Sequence, residues 1–457
     1  MSSTGPSILG ISFDGLGISG IVNEFLNVAN VLRSEKFRVL LDLGYDITIG
    51  RTVDLQNSFL PNWVEPIRCI GRQQPERYGA ELIEQAYRQV VEGIRIADAN
   101  IYDDVCRELA SSIVTTLNEN SVRFLIIENG TLPDNPIFTD AVYLAIAEYG
   151  VQHQLKKYVM WRDHDLMWSA EPHLYGPYPY PGVRKPFDCE HIRYVVASEW
   201  MRRRMQAWAP DALYNVIPNR FFLPELWYES DRSLREAYGI PEDAYLIARC
   251  TRVIPQKTIE RDMRLLDRLQ QRFVALGDPR KVFLFVTGPT QEAAEEFQRL
   301  TALEETLSIR GQVIWGDGLL PLNPMMIDEA DRGKRFSICD LLHEADISSF
   351  LTSFDYEGFG NPPGEAMATG VPFISTTYEL YQEVYGSKGA IAPLLPIARD
   401  DAPSDPIPTP FIDWTSQLLT DANYRRQVTR RNLRVCRRFF SLHALRAQLH
   451  EIFGEIQ

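Results

Sequence analysis

Two carboxylates, two cations and one imidazole stand at positions in this 457-residue chain where their types and spacing could do chemistry. Glu357 and Glu365 lie eight residues apart on either side of a glycine-bearing loop, Gly358-Phe359-Gly360, which a Pro-Pro pair follows. A carboxylate accepts two hydroxyl hydrogen bonds at once, which suits the diol of a ribose or a hexose. Paired carboxylates also perform acid/base work on glycosidic bonds, and Glu365 alone reads equally as a favourable charge in the first turn of a helix. Arg252 and Lys257 are spaced by Val-Ile-Pro-Gln. Two cations so placed could reach one pyrophosphate, although the same pattern also describes a solvated loop. His164 follows Arg162-Asp163 and precedes Asp165. An imidazole there could stabilise charge near a reacting centre, because its pKa is tunable around neutrality. A lone histidine in a strand-to-loop turn is as readily structural.

The elements around these residues decide what they can reach. Ala345–Leu351 is an apolar run of strand length, and a second such run covers Pro372–Ser375. Between them, prolines at 362 and 363 favour a helix start, Gly370 favours its end, and Glu365 falls in the expected first turn. Strand, glycine loop and helix N-terminus together form an anion site, because free N–H groups and the helix dipole converge there. Upstream, the runs Tyr245–Cys250, Val282–Val286 and Val313–Trp315 alternate with helical periodicity. The chain opens in the same way. Strand Ser7–Phe13 is followed by Asp14–Gly20, an amphipathic segment Ile21–Leu32 and strand Phe37–Asp42, a βαβ unit that predicts a parallel sheet. Gly17, Ser19 and Gly20 make the glycine loop either ligand-facing or a plain tight turn. Further strands are read at Arg123–Glu128, Lys157–Trp161, Arg193–Ala197 and Tyr214–Pro218, and residues 171–186 form a Pro- and Tyr-rich loop expected to cover a site. The expected architecture is α/β, with two Rossmann-like domains facing across a cleft. Residues 1–218 form the first domain and 219–435 the second, with a C-terminal helix at 436–457 packing back on the first.

The net charge of −14 argues against nucleic acid as a bulk partner, since backbone neutralisation needs clustered Lys and Arg. Lys156, Lys157, Arg162, Arg184 and Lys185 could still line a local pocket for a phosphorylated small molecule. The first residues carry neither the basic nor the apolar region of a secretory signal, and no run approaches the roughly 18 apolar residues of a transmembrane helix. Six cysteines are scattered singly, as in a protein with reduced thiols. The expectation is a cytoplasmic protein.

Taken together, these stretches resemble the retaining nucleotide-sugar glycosyltransferases of family 4, which have the GT-B fold. The family's E-x7-E signature corresponds to Glu357 through Glu365, followed by Ala-Met-Ala-Thr-Gly370-Val-Pro. Its Arg-x4-Lys corresponds to Arg252 and Lys257, its interdomain strand to Val216–Asn219, and its next glycine turn to Gly288. The resemblance implies that Glu365 holds the ribose hydroxyls and Glu357 the donor-sugar hydroxyls. It also implies that Gly358, Phe359 and Gly360 steady the sugar and phosphate, and that Arg252 and Lys257 neutralise the departing diphosphate without a metal or other cofactor. His164 would sit by the donor sugar and the acceptor. The D-x-D reading of Asp163 and Asp165 as a metal site is set aside, because that motif belongs to single-domain sugar transferases with another sheet. Pro362-Pro363-Gly364 and Asn361 depart from the family's usual apolar run. The closest look is to the sucrose-phosphate-synthase branch, which implies UDP-glucose as donor and fructose 6-phosphate as acceptor. Gly17, Ser19, Gly20, Lys157, Arg162 and Arg184 are the acceptor-side candidates. A GDP-mannose- or ADP-glucose-dependent transferase acting on a glycerate-type or other sugar acceptor is the alternative within the class. A non-catalytic sugar-binding protein is the alternative outside it.

Overall fold

The apolar runs become the inner strands of two parallel sheets, and every named strand pair is parallel. The computed structural model describes residues 5–12, 20–33, 37–42, 60–67, 74–93, 99–132, 136–164, 166, 182–223, 233–291, 293–316, 319 and 336–454. The chain divides into two units, one of Met1–Asn219 with Leu442–Gln457, the other of Arg220–Ser441.

The first unit carries β1 (Ser7–Ser12), β2 (Arg38–Asp42), β3 (Val64–Ile67), β4 (Val122–Glu128), β5 (Val159–Asp163), β6 (Ile192–Val196) and β7 (Tyr214–Val216). They are ordered β3-β2-β1-β4-β5-β6-β7. Helices α1 (Gly20–Arg33), α2 (Gln74–Glu92), α3 (Ala99–Glu119), α4 (Pro136–His153) and α5 (Glu199–Trp208) alternate with them. β4 and β5 are buried along nearly their whole length because a parallel sheet with helices on both faces has no wet side. β3 was not legible as a strand. It contains Pro66 and Glu65, and a proline is tolerated here because β3 is an edge strand with one unpaired side.

The second unit has β8 (Tyr245–Arg249), β9 (Val282–Val286), β10 (Val313–Trp315), β11 (Ile347–Phe350), β12 (Phe373–Thr376) and β13 (Leu394–Leu395), ordered β10-β9-β8-β11-β12-β13. Its helices are α6 (Ile259–Ala275), α7 (Ala294–Thr306), α8 (Ile338–Glu344), α9 (Asn361–Thr369), α10 (Thr409–Thr420) and α11 (Ala422–Phe439). The core of this unit packs Ile247, Leu284 and Ile347 of the strands against Met263, Leu266 and Leu269 of α6 and against Leu418 of α10, all essentially inaccessible. In both units the strand order reverses beside the first strand, between β1 and β4 and between β8 and β11. Open α/β sheets bind ligands at the carboxyl ends of strands at such switch points.

Two expectations need correction. Helix α9 begins at Asn361, directly after Gly360, so Glu365 is its fifth residue and lies beyond the first turn. The second unit does not stop at residue 435, because α11 continues to Phe439 and Cys436 is fully buried within it. The last helix, α12 (Leu442–Phe453), belongs to the first unit, where Phe453 meets Phe124 of β4 edge-on at 5.0 Å. Among the described residues no helix is long and apolar enough to cross a membrane.

Candidate donor site at the β8/β11 switch point

Arg252 and Lys257 lie on the loop that leaves the carboxyl end of β8. Pro255–Lys257 form one 3₁₀ turn, Thr258 takes φ 48°, and α6 starts at Ile259. Lys257 Nζ sits 2.7 Å from Glu357 Oε1, and the Thr352 hydroxyl donates to the same oxygen at 2.8 Å. Tyr356 joins the two cations: its ring centroid is 4.7 Å from Lys257 Nζ, and Arg252 Nη2 donates to its hydroxyl at 3.2 Å. Burial lowers the Lys257 pKa, the Glu357 carboxylate counters this, and the positive charge of Arg252 adds to the depression. The structure therefore brings together the first glutamate and both cations that the spacing singled out.

Gly288, just past β9, meets this loop from the other side. A Cβ there would stand 2.2 Å from the Thr251 carbonyl oxygen and 2.5 Å from Arg252 Cα, so only glycine lets the two loops touch. Its backbone lies directly against Arg252.

The glycine loop is held by two buried tyrosines. Tyr378 donates its hydroxyl to the Phe359 carbonyl at 2.7 Å, and Tyr385 donates to the Gly360 carbonyl at 2.6 Å. Burial raises both phenols well above their ordinary value, so they remain protonated donors at neutral pH. Gly360 has φ 84°, and a Cβ would come within 2.5 Å of the Tyr378 hydroxyl. With the carbonyls engaged, the backbone N–H groups of Phe359 and Gly360 have no acceptor among the described residues. Unpaired amides at the start of α9 are what an incoming phosphate or sugar hydroxyl requires.

Glu365 is half-buried on α9, and among the described residues none donates to its carboxylate. Burial alone pushes its pKa up to about 7. An acceptor-only group held in a partly dry site without a partner favours a ligand that brings hydroxyl donors.

In the first unit, His164 lies at the carboxyl end of β5, beside the β1/β4 switch point. Its Nε2 is 2.7 Å from Glu128 Oε2, and its backbone N–H donates to Asn129 Oδ1 at 2.7 Å. Glu128 also accepts from Arg162 through Nε at 2.9 Å and Nη2 at 2.6 Å, and Arg162 Nη1 lies 3.7 Å from Glu24 of α1. Burial opposes ionisation of Glu128, but Arg162 and His164 outweigh it and hold the carboxyl below its ordinary value. His164 is thus a fixed imidazole backed by a carboxylate.

The basic acceptor lining does not assemble. Arg162 is buried and spent on Glu128 and Glu24, because a buried guanidinium must be paired. Lys157 precedes β5 and so stands at the opposite end of that strand from His164. Arg184 pairs with Asp140 at 2.9 Å over the ring of Tyr143, and Lys156 pairs with Glu190. Gly20 is the first residue of α1; Gly17 and Ser19 lie outside the described residues, as do Asp165 and residues 171–181 of the expected cover loop. Asp163 accepts from the Thr131 hydroxyl at 2.7 Å, and among the described residues no group of three or more metal-ligating side chains occurs. Pattern reading missed Arg249, Thr352, Tyr356, Tyr378 and Tyr385. The one visible signal was Arg249, a charge inside the apolar run Tyr245–Cys250, since buried charges are nearly always paired.

No protein-family profile matches the sequence, and no curated protein is similar to it in sequence. Solved structures do match over almost the whole chain. It is similar to a glycosyltransferase from Rickettsia africae ESF-5, at 13% identity and TM-score 0.61, covering 99% of each chain. Sucrose-phosphate synthase from Thermosynechococcus elongatus matches with the same identity, coverage and TM-score. Anabaena HepE, solved in complex with UDP-glucose, matches at 12% identity and TM-score 0.59 over 97% of this chain and 98% of that one. At such identities the likeness is one of fold, and the fold is GT-B.

Proposed function

We propose that this chain is a retaining glycosyltransferase that moves a hexosyl group from a nucleotide sugar to a small phosphorylated acceptor. UDP-glucose is the favoured donor and fructose 6-phosphate the favoured acceptor. One observation carries the reading. At the β8/β11 switch point, two clustered cations and two unpaired backbone amides lie on adjoining loops and an unpartnered carboxylate on the helix α9 that follows, matching in kind the diphosphate, sugar and ribose of such a donor. The likeness to sucrose-phosphate synthase and to HepE, solved with UDP-glucose, supports the choice of donor and acceptor.

In this reading the bond between the anomeric carbon and the diphosphate oxygen breaks as Arg252, Lys257 and the α9 N-terminus take up the developing charge. The acceptor hydroxyl attacks from the face the diphosphate leaves, and its proton departs with the diphosphate. No metal or other cofactor is assigned a role, since these cations can balance the charge. His164, held in place by Glu128, is assigned a polar role toward the transferred group.

Incubation with UDP-glucose, GDP-mannose or ADP-glucose and a panel of phosphorylated acceptors should release nucleoside diphosphate, with fructose 6-phosphate the best acceptor. Binding of a sugar nucleotide without turnover on any acceptor would instead support a non-catalytic sugar-binding protein. His164→Ala should lower kcat by about 10²-fold, the typical loss for one charge-stabilising donor. Its nucleotide affinity should stay within twofold of wild type, and a parallel loss of affinity would remove His164 from the reacting centre.

A further inference from the structure

The cation loop does not hold its own shape. Thr258 is a β-branched residue at φ 48°, a strained conformation that persists only when surrounding contacts over-determine it. Within the loop two short turns tie the backbone, Lys257 N–H to Ile254 and Thr258 N–H to Pro255, at 3.1 and 3.0 Å. Further ties come from outside. Thr258 donates its hydroxyl to the Leu351 carbonyl at 2.6 Å, and Arg261 Nη1 donates to Thr352 at 2.9 Å.

The deepest tie is Arg249, the last residue of β8, which is wholly buried. Its Nη2 donates to the Lys257 carbonyl at 2.6 Å and its Nη1 to the Ser349 carbonyl at 3.2 Å. Its Nε lies 3.1 Å from Asp262 Oδ2, and the Ser349 hydroxyl donates to the other oxygen of Asp262. One guanidinium therefore links the end of β8, the middle of β11, the first turns of α6 and the carbonyl of the residue whose ammonium meets Glu357. Arg249 reaches no solvent, so it acts only through what it holds.

We propose that Arg249, fixed by Asp262, is a positioning residue that clamps the Arg252–Lys257 loop in the register required to bind a diphosphate. This inference rests on the donor-site reading above. The shape of the loop is set by tertiary contact at Lys257, so small losses at Arg249 move both cations together. A displacement of about 1 Å at a charge-positioning group typically costs about 10²-fold.

The test compares binding of the tightest nucleoside diphosphate among UDP, ADP and GDP with binding of its parent nucleoside. Arg249→Lys keeps a buried charge but not the planar fork that serves the Lys257 and Ser349 carbonyls while lying against Asp262. It should lower diphosphate affinity at least tenfold and leave nucleoside affinity within twofold. The double variant Arg249→Met/Asp262→Leu removes the pair without stranding a charge, which keeps the fold testable, and should show the same selective loss. Thr258→Gly relieves the strain the clamp opposes and should restore part of the diphosphate affinity in the Arg249→Lys background. Equal losses for diphosphate and nucleoside, or no loss in either variant, would overturn the clamp while leaving the donor site standing. Absence of diphosphate binding by the wild-type chain would overturn the donor site itself, and the clamp with it.

Discussion

Lys257→Met should reduce kcat by about 10²–10³-fold with any donor that supports turnover, the scale expected when one fixed positive group is removed from a developing anion. The ammonium is half of a nearly dry ion pair, with side-chain exposures of 13% for Lys257 and 9% for Glu357. Breaking such a pair strands the carboxylate and costs about 3–5 kcal/mol of stability, so the single variant should also melt earlier. The two effects separate in the double variant Lys257→Met/Glu357→Gln, in which no buried charge is left alone. That protein should recover most of the lost melting temperature and none of the lost rate. Recovery of rate together with stability would show that Lys257 serves the fold alone.

Glu365→Gln should weaken nucleoside diphosphate binding by about 10²-fold at pH 8. Two hydroxyl bonds to a charged acceptor contribute about 1.5–3 kcal/mol each, and an amide retains only part of that. The same substitution should stabilise the ligand-free protein, with a definite pH dependence. The folded-state pKa of Glu365, about 7, lies above the ordinary 4.5. The native state therefore binds this proton more tightly than the unfolded chain. The stability it contributes is complete below about pH 4 and is lost as pH rises through 7. Gln cannot titrate, so the melting temperature of the variant should exceed that of wild type at pH 8 and approach it at pH 5. Calorimetric titration and thermal melts at the two pH values check both halves. Unchanged affinity would remove Glu365 from the nucleotide, and a pH-independent difference in melting would show that its carboxylate is solvated.

These two residues also mark how far pattern reading reached. The strand runs, the Pro-Pro pair and Gly370 punctuate the chain locally, and local punctuation is what backbone stereochemistry writes into sequence. The alternation of apolar strands with amphipathic helices was enough to give two parallel α/β sheets, and the E-x7-E spacing was enough to mark the loop after β11. The start of α9 was misjudged by one or two residues, because a glycine in the left-handed region can end a loop at a point that proline preference alone does not reveal.

What the sequence by itself determined is therefore the class of fold and the side chains placed on the loops after β8 and β11, whereas the strand order, and with it the two switch points, came from the tertiary structure. Tertiary structure alone decided who pairs with whom. Lys257 meets Glu357 across 100 residues of chain, and Arg162 is consumed by Glu128 across 34. The first pairing brings Glu357 to the cation loop, and the second takes Arg162 out of the expected basic lining. Tertiary structure also placed Arg249 beneath the cation loop. The physical reason is common to all three. Periodicity reports how buried a position is, whereas a charge brought into a dry interior takes its partner from whichever strand end or helix turn the fold sets beside it.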